Sequence, residues 1–188
     1  AGLVCQIDDA FLASQYDLMV PPMPLETYRK WASLRIDALN HALKGLPAER
    51  VRYHLCWGSW NGPHTNDAPM KDLVDLMLRV NAGGYAIEMA NPRHAHEWKV
   101  FERIKLPDGK KLIPGVLESK TNFIEHPELV ADRIERWANA AGRVNIIAGN
   151  DCGFSSNAGN REVPLTVAWA KLRSLGEGAR IASSRLWR

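Results

Sequence analysis

The chain has 188 residues, enough for one domain with a sizeable core, and its 24 basic and 21 acidic residues leave a net charge of +3. This interspersed and nearly balanced charge argues against a surface dedicated to nucleic acid or to membranes, so neither is expected as a partner. The sequence contains no run of about 18 apolar residues, so no transmembrane helix is expected. The first residues lack the basic start and apolar stretch of a signal peptide.

Three cysteines are too few, and odd in number, for a disulfide framework in a chain of this length. A reducing cytoplasmic location is therefore predicted. Cys56 and Cys152 are interpreted as thiolates on a metal ion, and Cys5 as a buried strand residue.

Five short apolar runs predict buried strands, and helical patterns separate them. The strands are expected at 3–8, 51–57, 85–89, 112–118 and 144–150. Helices are expected at 25–44, 70–80, 127–141 and 163–175, the last ending at Gly176, with a less regular helical pattern at 97–105. Strands that alternate with helices indicate an α/β fold with a parallel sheet.

Side chains able to carry chemistry end or follow these strands, as the active-site residues of a (β/α)₈ TIM barrel do. They are Asp8, His54, Cys56, Glu88, Glu118 and Cys152. An open doubly wound sheet would instead gather its ligands at one switch point. Five strands fall short of eight, so we predict the C-terminal five βα units of a barrel, forming one partial domain over residues 1–188. Its open edges would require a complementary N-terminal fragment or a homo-oligomer.

The stretch YHLCWG carries the strongest chemical signal, because His54 and Cys56 are two residues apart on one predicted strand and point to the same face. Glu88 and Cys152 would arrive from other strand ends. One His, two Cys and one Glu are ligands that Zn²⁺ accepts, and four of them complete a tetrahedron.

Each ligand candidate also has an ordinary structural explanation. His54 and Cys56 could be packed core residues, and Cys152 could be an inert turn cysteine in NDCG. Glu88 could form a salt bridge with Arg93.

Four further polar residues, together with the histidines outside YHLCWG, leave alternatives open. One of Asp8 and Asp9 could cap the next segment, while the other could bind a cationic group or remain a solvated loop acid. Glu118 and Lys120 could form a surface ion pair or take part in proton transfer. His64, His94 and His96 are interpreted as loop histidines rather than as a second metal site.

The order Q-I-D, H-x-C, I-E, G-V-x-(D/E) and D-C-G resembles the catalytic domain of the cobalamin-independent methionine synthases, over essentially the whole chain. The resemblance implies a TIM barrel, zinc on His54, Cys56, Glu88 and Cys152, and Asp8 holding the amine of homocysteine. The wider family includes epoxyalkane–coenzyme M transferases, in which zinc also activates a thiol.

Two departures from the synthase pattern concern the substrates. Aligned on GVLESK, Lys120 occupies the place of the family's proton-delivering histidine. The stretch HLCWGSWNGPH is more similar to short single-domain relatives, and its Trp57 is a candidate substrate-contacting residue.

The predicted function is zinc-dependent transfer of a methyl or other alkyl group to a small thiol, with a 5-methyltetrahydrofolate-type donor and homocysteine as acceptor. Lys120 or Glu118 would protonate the leaving group. Alternatives are thiol alkylation of the epoxyalkane–coenzyme M type, a zinc hydrolase, and a non-catalytic zinc module.

Overall fold

The structure is a computed structural model that describes residues 2–18, 23–155, 159 and 162–188. Its centre is one parallel sheet with the strand order β1-β2-β3-β4-β5. The strands are β1 (Cys5–Asp9), β2 (Val51–Leu55), β3 (Gly84–Ile87), β4 (Lys111–Leu117) and β5 (Gly149–Asn150). The α-helices are α1 (Phe11–Leu18), α2 (Leu25–Ala42), α3 (Val74–Leu78), α4 (Pro127–Ala141) and α5 (Leu165–Leu186). Short 3₁₀ turns cover Ala48–Arg50, Met70–Asp72, Glu97–Glu102 and Arg143–Asn145.

The predicted α/β class and all five strand locations are confirmed, but β5 is much shorter than its apolar run. Leu112 forms an isolated bridge with Ile146, and regular pairing with β4 resumes only at Gly149. The register shifts between Gly115 and Leu117. A bulge of this kind interrupts a ladder and bends the strand, so most of 144–150 runs beside β4 without regular pairing.

Helix α1 was missed because its apolar positions fill barely two turns. Its N-terminus is capped by Asp9, whose Oδ1 accepts hydrogen bonds from the backbone N–H groups of Phe11 and Leu12. An aspartate that satisfies unpaired N–H groups stabilises a helix start. Asp9 is therefore the capping member of the Asp8–Asp9 pair.

Helix α5 continues to Leu186, so the predicted end at Gly176 is wrong. A glycine inside a helix costs up to about 1 kcal/mol relative to alanine, which packing can outweigh. Gly178, two residues on, lies where α5 packs on α4, and a Cβ there would meet Val130 Cγ1 at 2.5 Å. The region predicted as a helix at 70–80 is a 3₁₀ turn followed by the short α3, and 97–102 is also 3₁₀.

The central strands are buried, whereas the edge strand β1 is largely exposed. Cys5 is accordingly exposed, which corrects its prediction as a buried residue. The prediction failed because an apolar run does not reveal whether its strand has neighbours on both sides.

The two faces of the sheet differ in character. Tyr53, Leu55, Tyr85, Ile87 and Leu112 belong to the fully buried apolar core. The intervening residues line a cavity on the other face; among them are Gln6, Asp8, Arg52, His54, Ala86 and Ile113. Side chains alternate between faces along a strand, so one face serves the core and the other is available to ligands.

Among the described residues, no helix has the combination of length and apolarity that crossing a membrane would require.

The two glycines of α5 give a matched test of the α4–α5 contact. Gly178→Ala should lower the free energy of unfolding by about 1–3 kcal/mol, because the new methyl group overpacks against Val130 and Pro127 O. Gly176→Ala, exposed and with no neighbour within 4 Å, should raise it by up to about 1 kcal/mol. Urea denaturation of both variants measures the difference; equal effects would contradict the close packing.

Candidate metal and substrate site

Three potential metal ligands meet at the C-terminal ends of β2 and β5. A nitrogen of His54 and the sulfurs of Cys56 and Cys152 all lie within 4.8 Å of one another. His54 Nε2 is 3.3 Å from Cys152 Sγ, which is itself 3.3 Å from Cys56 Sγ. The structure thus brings together side chains almost 100 residues apart in sequence.

Glu88 flanks this cluster rather than entering it. Its Oε2 lies 3.4 Å from Cys56 Sγ and accepts a hydrogen bond of 2.9 Å from the backbone N–H of Trp57. Its Oε1 accepts a hydrogen bond from the side-chain amide of Asn91. The guanidinium of Arg93 instead donates to Thr65 O. Glu88 is therefore held beside Cys56 by neutral donors, and the alternative of a salt bridge with Arg93 is not what the structure shows.

The electrostatics of the cluster favour one thiolate and one thiol. The hydrogen bond from Cys56 lowers the pKa of Cys152 to about 6; burial opposes this shift and His54 supports it. The same hydrogen bond, burial and the charge of Glu88 raise the pKa of Cys56 above its ordinary value. Burial opposes protonation of His54, but the contact with Cys152 outweighs it and raises the pKa of His54.

The donor set fits a tetrahedral zinc ion. Zn–S bonds of about 2.3 Å place two coordinated sulfurs about 3.8 Å apart. The observed 3.3 Å between Cys56 and Cys152 therefore needs to widen by only a few tenths of an ångström. Cys152 already has a pKa suited to a thiolate ligand, and the nearby carboxylate of Glu88 could supply a fourth ligand.

Asp151 is a site residue that the sequence analysis missed. It is buried, and its Oδ1 accepts hydrogen bonds of 2.8 and 2.7 Å from the backbone N–H groups of Met89 and Ala90. It thereby ties the Cys152 loop to the residues that follow Glu88. A side chain on Gly115 would collide with Asp151, so this glycine permits the close approach. The sequence signal for Asp151 is its position next to Cys152 in NDCG.

Two cavities adjoin the cluster. The first, of about 790 Å³, is lined by His54, Cys56 and Cys152 and also by Asp8. The second, of about 550 Å³, lies on the side of Glu88. Trp60 lines both cavities and so stands between them.

The predicted substrate and proton-transfer residues differ in their surroundings. Asp8 faces the first cavity, where Gln6 Nε2 donates to its Oδ1. Lys120 lines the second cavity, and its Nζ pairs with Glu162 and donates to Gly153 O in the Cys152 loop. Both Asp8 and Lys120 thus lie beside the candidate site.

Two other predicted site residues, Trp57 and Glu118, make contacts that hold the local structure in place. Trp57 is 1% exposed; its indole donates to Ala68 O and it lines neither cavity. The indole of Trp57 thus faces the protein interior, whereas Trp60 lines both cavities. Glu118 uses both carboxylate oxygens to hold its own turn, through the N–H of Lys120 and the N–H and hydroxyl of Thr121.

Several known proteins are similar to this chain in sequence. No family model matches the chain. The 2-hydroxypropyl-CoM lyase of Xanthobacter autotrophicus is 24% identical over 184 residues, covering 85% of this chain and 46% of that protein. A methionine synthase of Saccharolobus islandicus is 26% identical over 167 residues, covering 87% and 43%.

A solved structure supports the fold. The B12-independent methionine synthase from a Shewanella species, in complex with selenomethionine, superposes with a TM-score of 0.70 at 20% identity, covering 98% of this chain and 49% of that one. The chain therefore spans slightly less than half the length of these three proteins.

These findings define an α/β chain related to enzymes. More narrowly, its resemblance to the cobalamin-independent methionine synthase family and the related coenzyme M enzymes is confirmed, at low identity.

The unequal thiols predict an order of chemical reactivity. In metal-free Cys5→Ser protein at pH 7, iodoacetamide should modify Cys152 before Cys56, since Cys152 is the thiolate and Cys56 retains its proton. The rate at Cys152 should rise as the pH passes through about 6. Peptide mass spectrometry identifies the modified residue; modification of Cys56 first, or a rate that rises only above pH 8, would contradict the assignment.

Proposed function

We propose that this chain carries a zinc-dependent site that transfers a methyl or other alkyl group to a small thiol. The observation that carries the proposal is the cluster of buried His54, buried Cys56 and partly buried Cys152 beside Glu88, with a cavity on either side. The proposed ligands are these four residues, within one partial barrel domain over 1–188. When bound, zinc would supply the positive charge that makes a substrate thiol a thiolate at neutral pH.

The two cavities suit a reaction with two substrates. In the first, Asp8 would bind a cationic group of the acceptor, such as an amine, and thereby orient its thiol toward the cluster. The alkyl donor would occupy the second cavity, between Trp60 and Lys120. The Lys120 ammonium, near the Cys152 loop, would protonate the leaving group. Glu118 is the weaker candidate because its oxygens already accept three hydrogen bonds.

Two relatives suggest two acceptors. The resemblance to methionine synthases favours homocysteine and a 5-methyltetrahydrofolate-type donor, and Asp8 suits the homocysteine amine. The match with 2-hydroxypropyl-CoM lyase favours the coenzyme M alternative, and Lys120 in place of the synthase histidine is a departure from the methionine synthase pattern.

The function is tested by adding thiols to cobalt-substituted protein. Homocysteine or coenzyme M should change the visible absorption of cobalt, whereas homoserine, which lacks the sulfur, should not. Cys56→Ala should lose both metal and thiol alkylation, because it removes a ligand at the centre of the cluster. Cys5→Ala is the matched control: this cysteine is exposed and lies outside the cluster, so both properties should remain.

The outcomes separate the alternatives. A response to coenzyme M but not to homocysteine would favour the coenzyme M reaction. If the absorption of bound cobalt did not change with any thiol, the proposal would be contradicted. A structural metal site or a hydrolase would then be the remaining alternatives. Full thiol alkylation by a metal-free Cys56→Ala variant would also contradict it.

The open sheet leads to a proposal about partners. Edge strands expose backbone groups that other chains can pair with, and Leu3, Val4 and Ile147 are exposed apolar residues near these edges. We propose that a complementary polypeptide segment or a second copy of the chain covers them.

Light scattering on the purified 188-residue chain tests this partner proposal. The mass should exceed the 21.0 kDa of one chain, because the uncovered edges associate. Val4→Lys and Ile147→Lys should reduce the association, since charged side chains on an edge oppose pairing. Leu34→Lys, exposed on α2, is the control and should not. A stable monomer with a cooperative unfolding transition would contradict the proposal.

A further inference from the structure

A second buried polar cluster lies behind the candidate metal site and includes His94. This residue lies in a turn, in line with its interpretation as a loop histidine, but it is only 1% exposed. Its Nε2 is 2.8 Å from Asp67 Oδ2, and its Nδ1 is 3.6 Å from Glu97 Oε1. Burial of an ionisable group is unfavourable unless the group is paired, and here a buried histidine is paired with two carboxylates.

Each carboxylate is anchored to a different part of the chain. Glu97 Oε2 accepts a 2.7 Å hydrogen bond from the backbone N–H of Met70. Asp67 Oδ2 lies 3.0 Å from Nδ1 of His64, whose ring lines the second cavity. Burial disfavours a charged His94, but its contacts with Asp67 and Glu97 outweigh this and raise its pKa to about 9. At neutral pH the ring is therefore an imidazolium fixed from both sides.

The face of this imidazolium packs on Trp57. The two ring centroids are 4.1 Å apart with an interplanar angle of 26°. A cation over an indole face is attracted by the ring electrons. The indole is also held by its own Nε1–H, which donates a hydrogen bond to Ala68 O at 2.8 Å. Trp57 thus has a single orientation.

Trp57 connects this cluster to the metal ligands through its backbone. It directly follows Cys56, and its N–H donates to Glu88 Oε2 at 2.9 Å. Fixing the indole therefore also fixes the peptide between Cys56 and Trp57, whose N–H is hydrogen-bonded to Glu88. Groups that orient ligands from behind commonly change metal affinity by about 10–100-fold when they are removed.

We propose that His94, held between Asp67 and Glu97, is a positioning residue that locks Trp57 and thereby sets the placement of Cys56 and Glu88 for metal binding. This inference rests on the proposed zinc site but does not depend on which thiol is alkylated.

The test compares His94→Phe with His96→Phe. Phenylalanine at 94 can still stack on Trp57 but lacks the charge and the hydrogen bond to Asp67, whereas His96 is exposed and only two residues away. In the metal-free proteins, amide hydrogen exchange by NMR should show faster exchange at the Trp57 N–H in His94→Phe, by about 10-fold or more, because a charge-assisted hydrogen bond that supports the indole is lost. The N–H of Tyr85 in the core should not change. Exchange that rises equally at both positions would indicate a general loss of stability and overturn the proposal.

Zinc affinity, measured by competition with a chromogenic chelator, gives the second readout. His94→Phe should weaken binding by about 10–100-fold, and His96→Phe should leave it unchanged. His94→Gln, which can still donate to Asp67, should recover part of the loss. Wild-type affinity in folded His94→Phe would overturn the positioning role. Absence of zinc binding by the wild type would contradict the zinc site itself, and amide exchange would then decide the role of His94.

If His94→Phe does not fold, Asp67→Asn provides the same comparison. The amide keeps the size of the carboxylate but removes the charge that holds the imidazolium. Faster exchange at Trp57 with weaker zinc binding supports the proposal, and no change in either overturns it.

Discussion

The candidate site depends on the parallel register of the strands. His54 of β2 lies opposite Ala86 of β3, and Leu55 opposite Ile87, so the next residues along each strand, Cys56 and Glu88, emerge side by side. A shift of one residue would exchange the faces of every side chain on β2. His54 would then enter the apolar core, and Tyr53 would face the cavity. Burial of Tyr53 and Leu55 against the helices thus maintains the geometry of the polar groups on the other face.

The second constraint is the concentration of acidic groups behind these strand ends. Glu88 and Asp151 are both buried, and burial together with the charge of Glu88 raises the pKa of Asp151 well above its ordinary value. Cys152, with its lowered pKa, adds a thiolate at neutral pH. Backbone N–H groups donate to both carboxyl groups, and His54 contacts Cys152. A divalent cation at the cluster would stabilise all these groups together, which supports zinc more directly than the identity of the residues alone.

Sequence patterns predicted what depends on periodicity and on strand ends. The apolar runs located all five strands, and the pattern at 127–141 matches α4 in full. The grouping of His54, Cys56 and Cys152 followed from the rule that parallel strands deliver their C-terminal residues to one edge. No local pattern, however, reports the neighbours of a strand or a loop. For this reason Cys5 was expected to be buried, and the burial of His94 within its turn was not predicted.

The same limit applies to the tryptophans of the HLCWGSWNGPH stretch. Trp57 and Trp60 are equally prominent in the sequence, yet the first packs on His94 and the second lines both cavities. What separates them is the backbone between them. Gly58 has a φ of 101° and Ser59 a φ of 43°, positive values that change the direction of the chain between the two indoles. One tryptophan therefore belongs to the support behind the ligands, and the other to the wall in front of them.

The polar and charged residues on the cavity-lining face of the sheet limit how closely a partner could pack against it. Its residues include Gln6, Asp8 and Arg52, which are polar or charged, whereas the helix-covered face is apolar. A partner that packed tightly over this face would bury an arginine and an aspartate and would fill the cavity beside Cys56 and Cys152. Burial of unpaired charges is unfavourable. Coverage of the strand edges, with a hollow left over the inner face, satisfies both the backbone groups at the edges and the charged groups within. The enclosed cavity would then exclude bulk water from the cluster, so electrostatic interactions between its ligands and a substrate would strengthen.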